Sequence, residues 1–135
     1  MASVLKVDSI TGVTTAGSIS VTGEGNSTTT NLQQGLAKAW VLFSMTTPAI
    51  TDDFNISSLS DDSTGHGTLS FTNAMANATY ITVTSASDEG SGPTVYGQHS
   101  SDTKTSSAVQ VSSYNRNGTA SDTVKWEGCF HGDLA

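Results

Sequence analysis

The sequence predicts an all-β protein: an antiparallel β-sandwich head of about seven strands, preceded by a short extended β-type N-terminal segment. Ser and Thr make up close to a third of the chain, and charged residues are only 13%. Low charge combined with many Thr and Val residues favours strands over helices. Short runs of alternating apolar residues, separated by Gly, Asp and Asn, recur at the spacing that is typical of a sandwich.

The bulk composition excludes several classes of protein. The net charge is −7, from 12 acidic and 5 basic residues, so the chain lacks the Lys/Arg stripe that binding to a nucleic-acid backbone requires. No apolar run approaches the roughly 18–20 residues of a membrane-spanning helix, so no membrane insertion is expected. The N-terminus lacks the apolar core of a signal peptide, and Cys129 is the single cysteine. We therefore expect synthesis in a cytoplasm, without an intrachain disulfide.

Residues 1–30 contain two short β-type runs, each ended by glycine, and then a polar linker. They hold too few aliphatic side chains to bury a core alone, and an isolated hairpin is marginal in water. One interpretation is a flexible tail. The other is a segment that becomes ordered by pairing with sister chains or with a docking partner. The chain is thus predicted to divide into a pairing segment with a linker at 1–30 and a head domain at 31–135.

The junction between these two regions is predicted around residue 35. Asn31 suits a helix N-cap and Gly35 a helix stop, so residues 31–36 predict one turn of helix or a tight corner. The next strand, at 38–44, lies in the most apolar window of the chain.

This central strand is apolar on both of its faces. Ala39 and Val41 alternate with Trp40 and Leu42, and Phe43 follows. A strand that is apolar on both faces must be covered on both faces. A chain this poor in large hydrophobic residues has few left for the second cover. We interpret the strand as a contact between copies of the chain, with Trp40, Leu42 and Phe43 as the interface residues.

The chain beyond the central strand predicts a series of strands and turns. A single strand is expected to contain Phe54, Ile56 and Leu59 and to end in a turn at 60–65. Strands at 68–72 and 80–84 alternate apolar and polar residues, which indicates one buried face. The residues predicted to point inward are Leu69, Phe71, Ile81 and Val83.

The last part of the chain continues this pattern. Further strands are predicted at 94–96 and 108–112, and the dipeptide Asn117–Gly118 predicts a hairpin turn. A closing strand at 123–130 is expected to carry Val124, Trp126 and Phe130 on one face. Trp126 is therefore interpreted as a core residue.

Three blocks of the sequence stand out by their order and spacing. Residues 35–41 read GLAKAWV, residues 53–61 read DFNISSLSD, and residues 67–75 read GTLSFTNAM. Together they resemble a C-terminal β-sandwich module of tail-fibre and spike proteins that is common in tailed bacteriophages of aquatic bacteria. The resemblance covers residues 35–85 well, and residues 4–10 loosely resemble the opening of small phage fibre proteins.

The resemblance implies a non-enzymatic structural protein of a virion, assembled in the host cytoplasm as a homotrimeric fibre or spike. Residues 1–30 would attach it to tail, baseplate or capsid proteins, and the head would face the host surface. Only about thirty residues precede the head, whereas family fibres often have a long shaft. This difference favours a short spike, a tip subunit or a head-decorating fibre. The residues expected to dock to the particle are Val4, Leu5, Val7 and Ile10.

In fibres of this kind, divergent loops usually carry the receptor specificity. The loops at 87–107 and 113–122 are therefore predicted to face the host. Tyr96 and Tyr114 flank polar segments and could stack on a sugar ring, which makes a host surface glycan a candidate partner. The candidate receptor contacts are Tyr96, His99, Tyr114, Asn115 and Arg116.

No catalytic site, metal site or cofactor is predicted. His66, His99 and His131 show no ligand spacing, although one histidine repeated around a threefold axis is an alternative. Calcium at the Asp pairs 52–53 or 61–62 is another alternative, but Asp before Ser or Gly is ordinary turn chemistry. The sequence has no Gly-x-Ser-x-Gly elbow and no phosphate-binding glycine loop.

Two other functions remain open at this point. The chain could decorate a capsid without binding a specific receptor. It could also be a monomeric carbohydrate-binding module, in which case the doubly apolar strand would be covered within one chain.

Overall fold

The structure, a computed structural model, describes residues 4–12, 19–22, 29–87, 95–99, 103–115 and 117–135, with the backbone alone at 33–34 and 95–99. The described residues form ten strands and one turn of α-helix. In chain order they are β1 (Ser20–Thr22), β2 (Thr29–Asn31), α1 (Leu32–Gly35), β3 (Ala39–Ser44), β4 (Ala49–Phe54), β5 (Ile56–Ser63), β6 (His66–Phe71), β7 (Ile81–Ser87), β8 (Val95–His99), β9 (Ala108–Asn115) and β10 (Lys125–His131).

The chain divides into two compact units, Met1–Leu36 and Ala37–Ala135. In the first unit, β1 and β2 pair antiparallel, with Val21 opposite Thr30. The helical turn α1 follows β2 directly and ends at Gly35, which confirms the predicted turn. The four aliphatic side chains predicted to dock to a particle are exposed: Val4, Leu5, Val7 and Ile10.

The second unit is built from two four-stranded antiparallel sheets. The front sheet has the strand order β4-β3-β10-β7, and the back sheet has the order β5-β6-β9-β8. Apolar side chains from both sheets form one core. This arrangement confirms the predicted all-β sandwich, with eight strands in the described part of the second unit where about seven were expected.

The prediction of a single strand through Phe54, Ile56 and Leu59 is wrong, because Asn55 interrupts it and divides it into two strands. Phe54 ends β4, and Ile56 begins β5 in the other sheet. Asn55 has a left-handed backbone with φ 62°, which Asn tolerates better than most residues. Residues 60–63, predicted as a turn, continue β5.

The core lies between the sheets and is rich in aromatic rings. Phe43 stacks on Trp126, with ring centroids 5.2 Å apart. Phe71 meets both Tyr80 and Phe130 edge to face, at 5.5 and 5.4 Å. The buried hydrophobic residues are Ala39, Val41, Phe43, Met45, Ile56, Leu69, Phe71, Met75, Tyr80, Val109, Val111, Trp126 and Phe130.

The predicted orientation of β7 is wrong. Ile81 and Val83 point outward, whereas Thr82, Thr84 and Ala86 are the partly buried residues of this strand. The reason lies on the neighbouring strand β10, where the bulky Trp126 and Phe130 fill the core. Ala86 is opposite Trp126 and Thr82 is opposite Phe130, so a densely packed interior leaves room only for small inward side chains on β7.

Two glycines with positive φ fix the turns beside the back sheet. Gly65, with φ 74°, turns the chain from β5 into β6. A Cβ atom there would lie 2.6 Å from the carbonyl oxygen of Ser113. Gly118, with φ 76°, donates its N–H to the carbonyl of Asn115 at 2.9 Å. This confirms the predicted turn, but β9 and β10 on its two sides lie in different sheets and do not form a hairpin.

Candidate functional site

The outward side of the front sheet carries a row of apolar side chains that crosses all four strands. Val83 on β7 is directly opposite Cys129 on β10, Cys129 is opposite Trp40 on β3, and Trp40 is opposite Phe54 on β4. Directly opposite residues of an antiparallel pair share a face. The buried residues of β3 and β10 alternate with these positions, so the row lies on the outer side.

This row and its neighbours leave much apolar area in contact with solvent. Ile81 is 65% exposed, Val83 61%, Phe54 50% and Trp40 38%. Leu42, also on the outer side, is half-buried. We call Ile81, Val83, Cys129, Trp40, Leu42 and Phe54 the outer apolar face. Single exposed apolar residues are normal, but a contiguous group of this kind marks an interaction surface.

Polar and charged residues border the outer apolar face on one side. In the next row of the sheet, Asp52 is opposite Leu42, Leu42 is opposite Glu127, and Glu127 is opposite Ser85. Asp52, Glu127 and Ser85 are all exposed. An apolar centre with a polar rim is the usual composition of a protein–protein interface.

Cys129 and His131 form a side-chain pair within this face. They are two residues apart on β10 and therefore point to the same side. The Sγ atom of Cys129 lies 3.4 Å from Nε2 of His131, and both side chains are partly exposed. His131 is opposite Ile81, so apolar side chains flank the pair.

The three residues predicted for the interface do not all lie on the same side of β3. Trp40 and Leu42 lie on the outer side of β3, as expected. Phe43 lies on the inner side, is 1% exposed, and stacks on Trp126. Its inclusion in an interface is therefore corrected, because its side chain is already covered within the chain.

The outer side of the back sheet is polar and highly hydrogen-bonded. The carboxylate of Asp62 accepts hydrogen bonds from Thr68 Oγ1 at 2.7 Å and from Gln110 Nε2 at 3.2 Å. Nδ1 of His66 lies 2.8 Å from Oγ of Ser112. Partial burial alone would raise the pKa of Asp62, but hydrogen bonds from Thr68, Gln110 and a nearby serine, together with the His66 charge, lower it below its ordinary value.

Four of the five predicted receptor residues lie on the neighbouring strands β8 and β9 of this back sheet. Tyr114 meets the His66 ring edge to face at 5.8 Å, and its Cα is opposite that of Tyr96 on β8. His99 is opposite Val111 in the same pair of strands. The Asn115 side chain accepts the backbone N–H of Asn117 at 2.9 Å and of Thr119 at 3.0 Å. Arg116 lies outside the described residues.

Lys104 anchors the described part of the segment that precedes β9. Its Nζ atom lies 4.2 Å from the centroid of the Tyr80 ring and donates a hydrogen bond to the Tyr80 carbonyl. Burial lowers the pKa of Lys104 and raises the pKa of Tyr80 to about 12. The Tyr80 hydroxyl donates a hydrogen bond to the Ala108 carbonyl at 3.2 Å.

The aspartate pairs considered for calcium take part in local hydrogen bonds. Asp53 accepts the backbone N–H of Ile56 at 3.2 Å, and Asp62 belongs to the network on the back sheet. Within the described ranges, no group of three or more His, Cys, Asp or Glu side chains of one chain is placed to hold a metal ion. In the same part of the chain, no helix has the length and apolar character needed to cross a membrane.

Comparison of the chain with protein-family models, with curated proteins and with solved structures found no match.

Sequence reasoning missed most of the outer apolar face. It placed Ile81 and Val83 inward and assigned Phe54 to a different strand. It did not connect Cys129 with His131. The signal that was available in the sequence is the strand β3, which is apolar on both faces. Its outward residues Trp40 and Leu42 need to be covered, and their neighbours on the same face of the sheet enlarge the exposed apolar area and do not cover it.

Proposed function

We propose that the chain is a non-enzymatic structural subunit of a tailed-phage virion, a small fibre or spike whose copies associate through the outer apolar face. The exposed apolar row across the front sheet is the observation that carries the proposal. The resemblance of residues 35–85 to tail-fibre modules supports the assignment to a phage virion. The exposed aliphatic residues of the N-terminal unit supply a second surface, through which residues 1–30 would attach to tail, baseplate or capsid proteins.

The physical reason for association is the cost of leaving the outer apolar face in water. Full burial of one large apolar side chain contributes roughly 1.5–3 kcal/mol, and here Ile81, Val83 and Phe54 are at least half exposed. Association itself costs an estimated 4–15 kcal/mol in lost freedom. Several side chains of the row must therefore be covered together, which a second copy with the same row can do.

The number of copies has two candidate values. The resemblance implies three, as in a homotrimeric fibre. Face-to-face packing instead gives a pair of chains, because one face of a sheet packs against one other sheet, about 10 Å away, with the side chains of the two sheets in contact. The native mass of the chain in solution distinguishes a trimer from a pair.

The polar side of the sandwich is the candidate receptor surface in this proposal. It carries the aromatic ring of Tyr114 beside that of His66, and the hydrogen-bonded side chains of Asp62 and Gln110 lie on the same sheet. Aromatic rings with neighbouring polar groups suit a sugar ligand. A host surface glycan is the proposed partner, and the divergent segments 87–107 and 113–122 are the proposed source of its specificity.

The location on a particle is tested on purified virions of the phage whose genome encodes the chain. We expect the chain in the virion by mass spectrometry, and antibodies against residues 37–135 should label one site by electron microscopy. Exchange of residues 88–94 and 116–119, which lie outside β8 and β9, should change the bacteria to which the particle adsorbs while the head stays folded. Virions that lack the chain would contradict the proposal.

A capsid-decorating fibre without a receptor is the second candidate, and the same outer apolar face would support it. The loop exchange separates the two functions, because a purely decorative protein would leave adsorption unchanged and its deletion would alter particle robustness. A monomeric carbohydrate-binding module is less well supported, since Trp40 and its outward neighbours are exposed in the single chain.

A further inference from the structure

We propose that Cys129 and His131 form one half of a zinc site, which becomes complete when the outer apolar faces of two copies meet. This inference rests on the proposed self-association and adds a ligand and a pairwise geometry to it. Its basis is the placement of a thiol and an imidazole nitrogen side by side on the outer side of β10.

The distance between the two atoms fits a shared metal ion. In tetrahedral zinc sites, Zn–S is about 2.3 Å and Zn–N about 2.0–2.1 Å, which places sulfur and nitrogen ligands about 3.5 Å apart. The Sγ–Nε2 distance in the chain is 3.4 Å. The separation of the two atoms therefore matches that of two ligands of one zinc ion.

The ligand count leads to a second copy as the source of the remaining ligands. One chain offers a cysteine and a histidine here, and its described residues hold no larger group of metal-ligating side chains. A twofold axis through the outer apolar face would bring together two cysteines and two histidines. Cys₂His₂ is a standard ligand set of structural zinc.

The surroundings of the pair suit a structural site. Val83 and Trp40 are opposite Cys129 on the two neighbouring strands, and Ile81 is opposite His131. Contact between two copies would cover these side chains and exclude water from the metal. Zinc binds the thiolate, so loading transfers the thiol proton of each Cys129 to solvent. Two thiolates then neutralise the charge of the zinc ion.

The test uses the whole chain, stripped of metal with a chelator and titrated first with cobalt(II) and then with zinc(II). Cobalt bound to thiolate gives a charge-transfer absorption band, and light scattering reports the native mass in the same sample. The variants are Cys129→Ser and His131→Gln. The matched control is His66→Gln, which removes a histidine on the back sheet. Circular dichroism checks that each variant is folded.

We expect one cobalt ion per two chains, a thiolate band that zinc abolishes, and a loaded protein with twice the chain mass or its multiple. Each of Cys129→Ser and His131→Gln should lose the band, and His66→Gln should keep it. The inference is overturned by absence of the band, by an unchanged band in His131→Gln, or by one metal per chain or per three chains.

The failure of this inference is distinguishable from failure of the proposed self-association. A metal-free chain that stays associated, binds no cobalt and separates in Trp40→Ser would overturn the zinc site alone. A chain that is monomeric with and without metal would overturn both.

Discussion

Trp40 lies directly opposite Cys129 in the antiparallel pair β3–β10, and both side chains point away from the core. On the inner side of the same two strands, Phe43 and Trp126 are also opposite each other and stack at 5.2 Å. The same two strands thus present Phe43 and Trp126 to the core and Trp40 to solvent. We expect the inner face to determine the stability of the head and the outer face to determine association between copies.

Replacement of Phe43 by Ala should destabilise the head strongly. The side chain is buried against Trp126, and such truncations cost about 3–5 kcal/mol. Phe54→Ala is the matched control, because Phe54 is half exposed in the single chain and its loss should cost the dissociated chain about 1 kcal/mol or less. Urea unfolding of both variants measures the difference. Equal losses would contradict the assignment of Phe43 to the core and Phe54 to the outer face.

Replacement of Ile81 and Val83 by Thr should weaken self-association while leaving the fold intact. Both residues are exposed on β7, and Thr is also β-branched, so the strand keeps its propensity. We expect association to weaken at least about tenfold, which corresponds to about 1.4 kcal/mol. Sedimentation over a concentration series measures this. Val21→Thr, at an exposed strand position of the N-terminal unit, should leave association unchanged.

Substitutions of Asn55 should separate backbone strain from lost hydrogen bonds. Its side chain donates to the Lys38 carbonyl at 2.9 Å and accepts the Asn73 N–H at 2.7 Å, while its backbone is left-handed. Asn55→Gly loses the bonds but tolerates the backbone. Asn55→Ala loses the hydrogen bonds and also strains the left-handed backbone, so it should be about 1–2 kcal/mol less stable than Asn55→Gly. Thermal or urea unfolding of the pair decides this, and an alanine variant as stable as the glycine variant would refute it.

The lowered pKa of Asp62 gives the head an acid-dependent stability. A carboxyl with a folded pKa below its ordinary value of 3.8 contributes stability above that value and loses it as the pH falls through the folded pKa. Asp62 is largely solvated, so the effect should be small. Melting temperatures between pH 6 and pH 2.5 should fall less for Asp62→Asn than for the wild type. Asp61→Asn controls for loss of a carboxylate on β5, and an identical pH slope in wild type and Asp62→Asn would contradict the account.

The sequence predicted those parts of the fold that depend on local pattern. The alternation in β6 placed Leu69 and Phe71 in the core, and glycine ended α1 at Gly35. Local pattern also showed that β3 has two apolar faces. These features follow from residues that are near one another in the chain.

The errors arose where packing between distant residues decides the structure. The alternation in β7 is regular, but its phase relative to the core is set by Trp126 and Phe130 on β10. Asn55 looks like any strand residue until its hydrogen bonds to Asn73 and Lys38 are known. The outer apolar face crosses the strands β7, β10, β3 and β4, which are neighbours in the sheet but not in the chain. A pattern within one strand therefore cannot reveal it.

Self-association through the outer apolar face sets the native mass of the protein in solution. Light scattering is performed on the wild-type chain, which has a mass of 13.9 kDa, and on Trp40→Ser. We predict a wild-type mass of at least twice the chain mass and a Trp40→Ser variant that is folded and monomeric. A monomeric wild type, or a Trp40→Ser variant with the wild-type mass, would contradict the account.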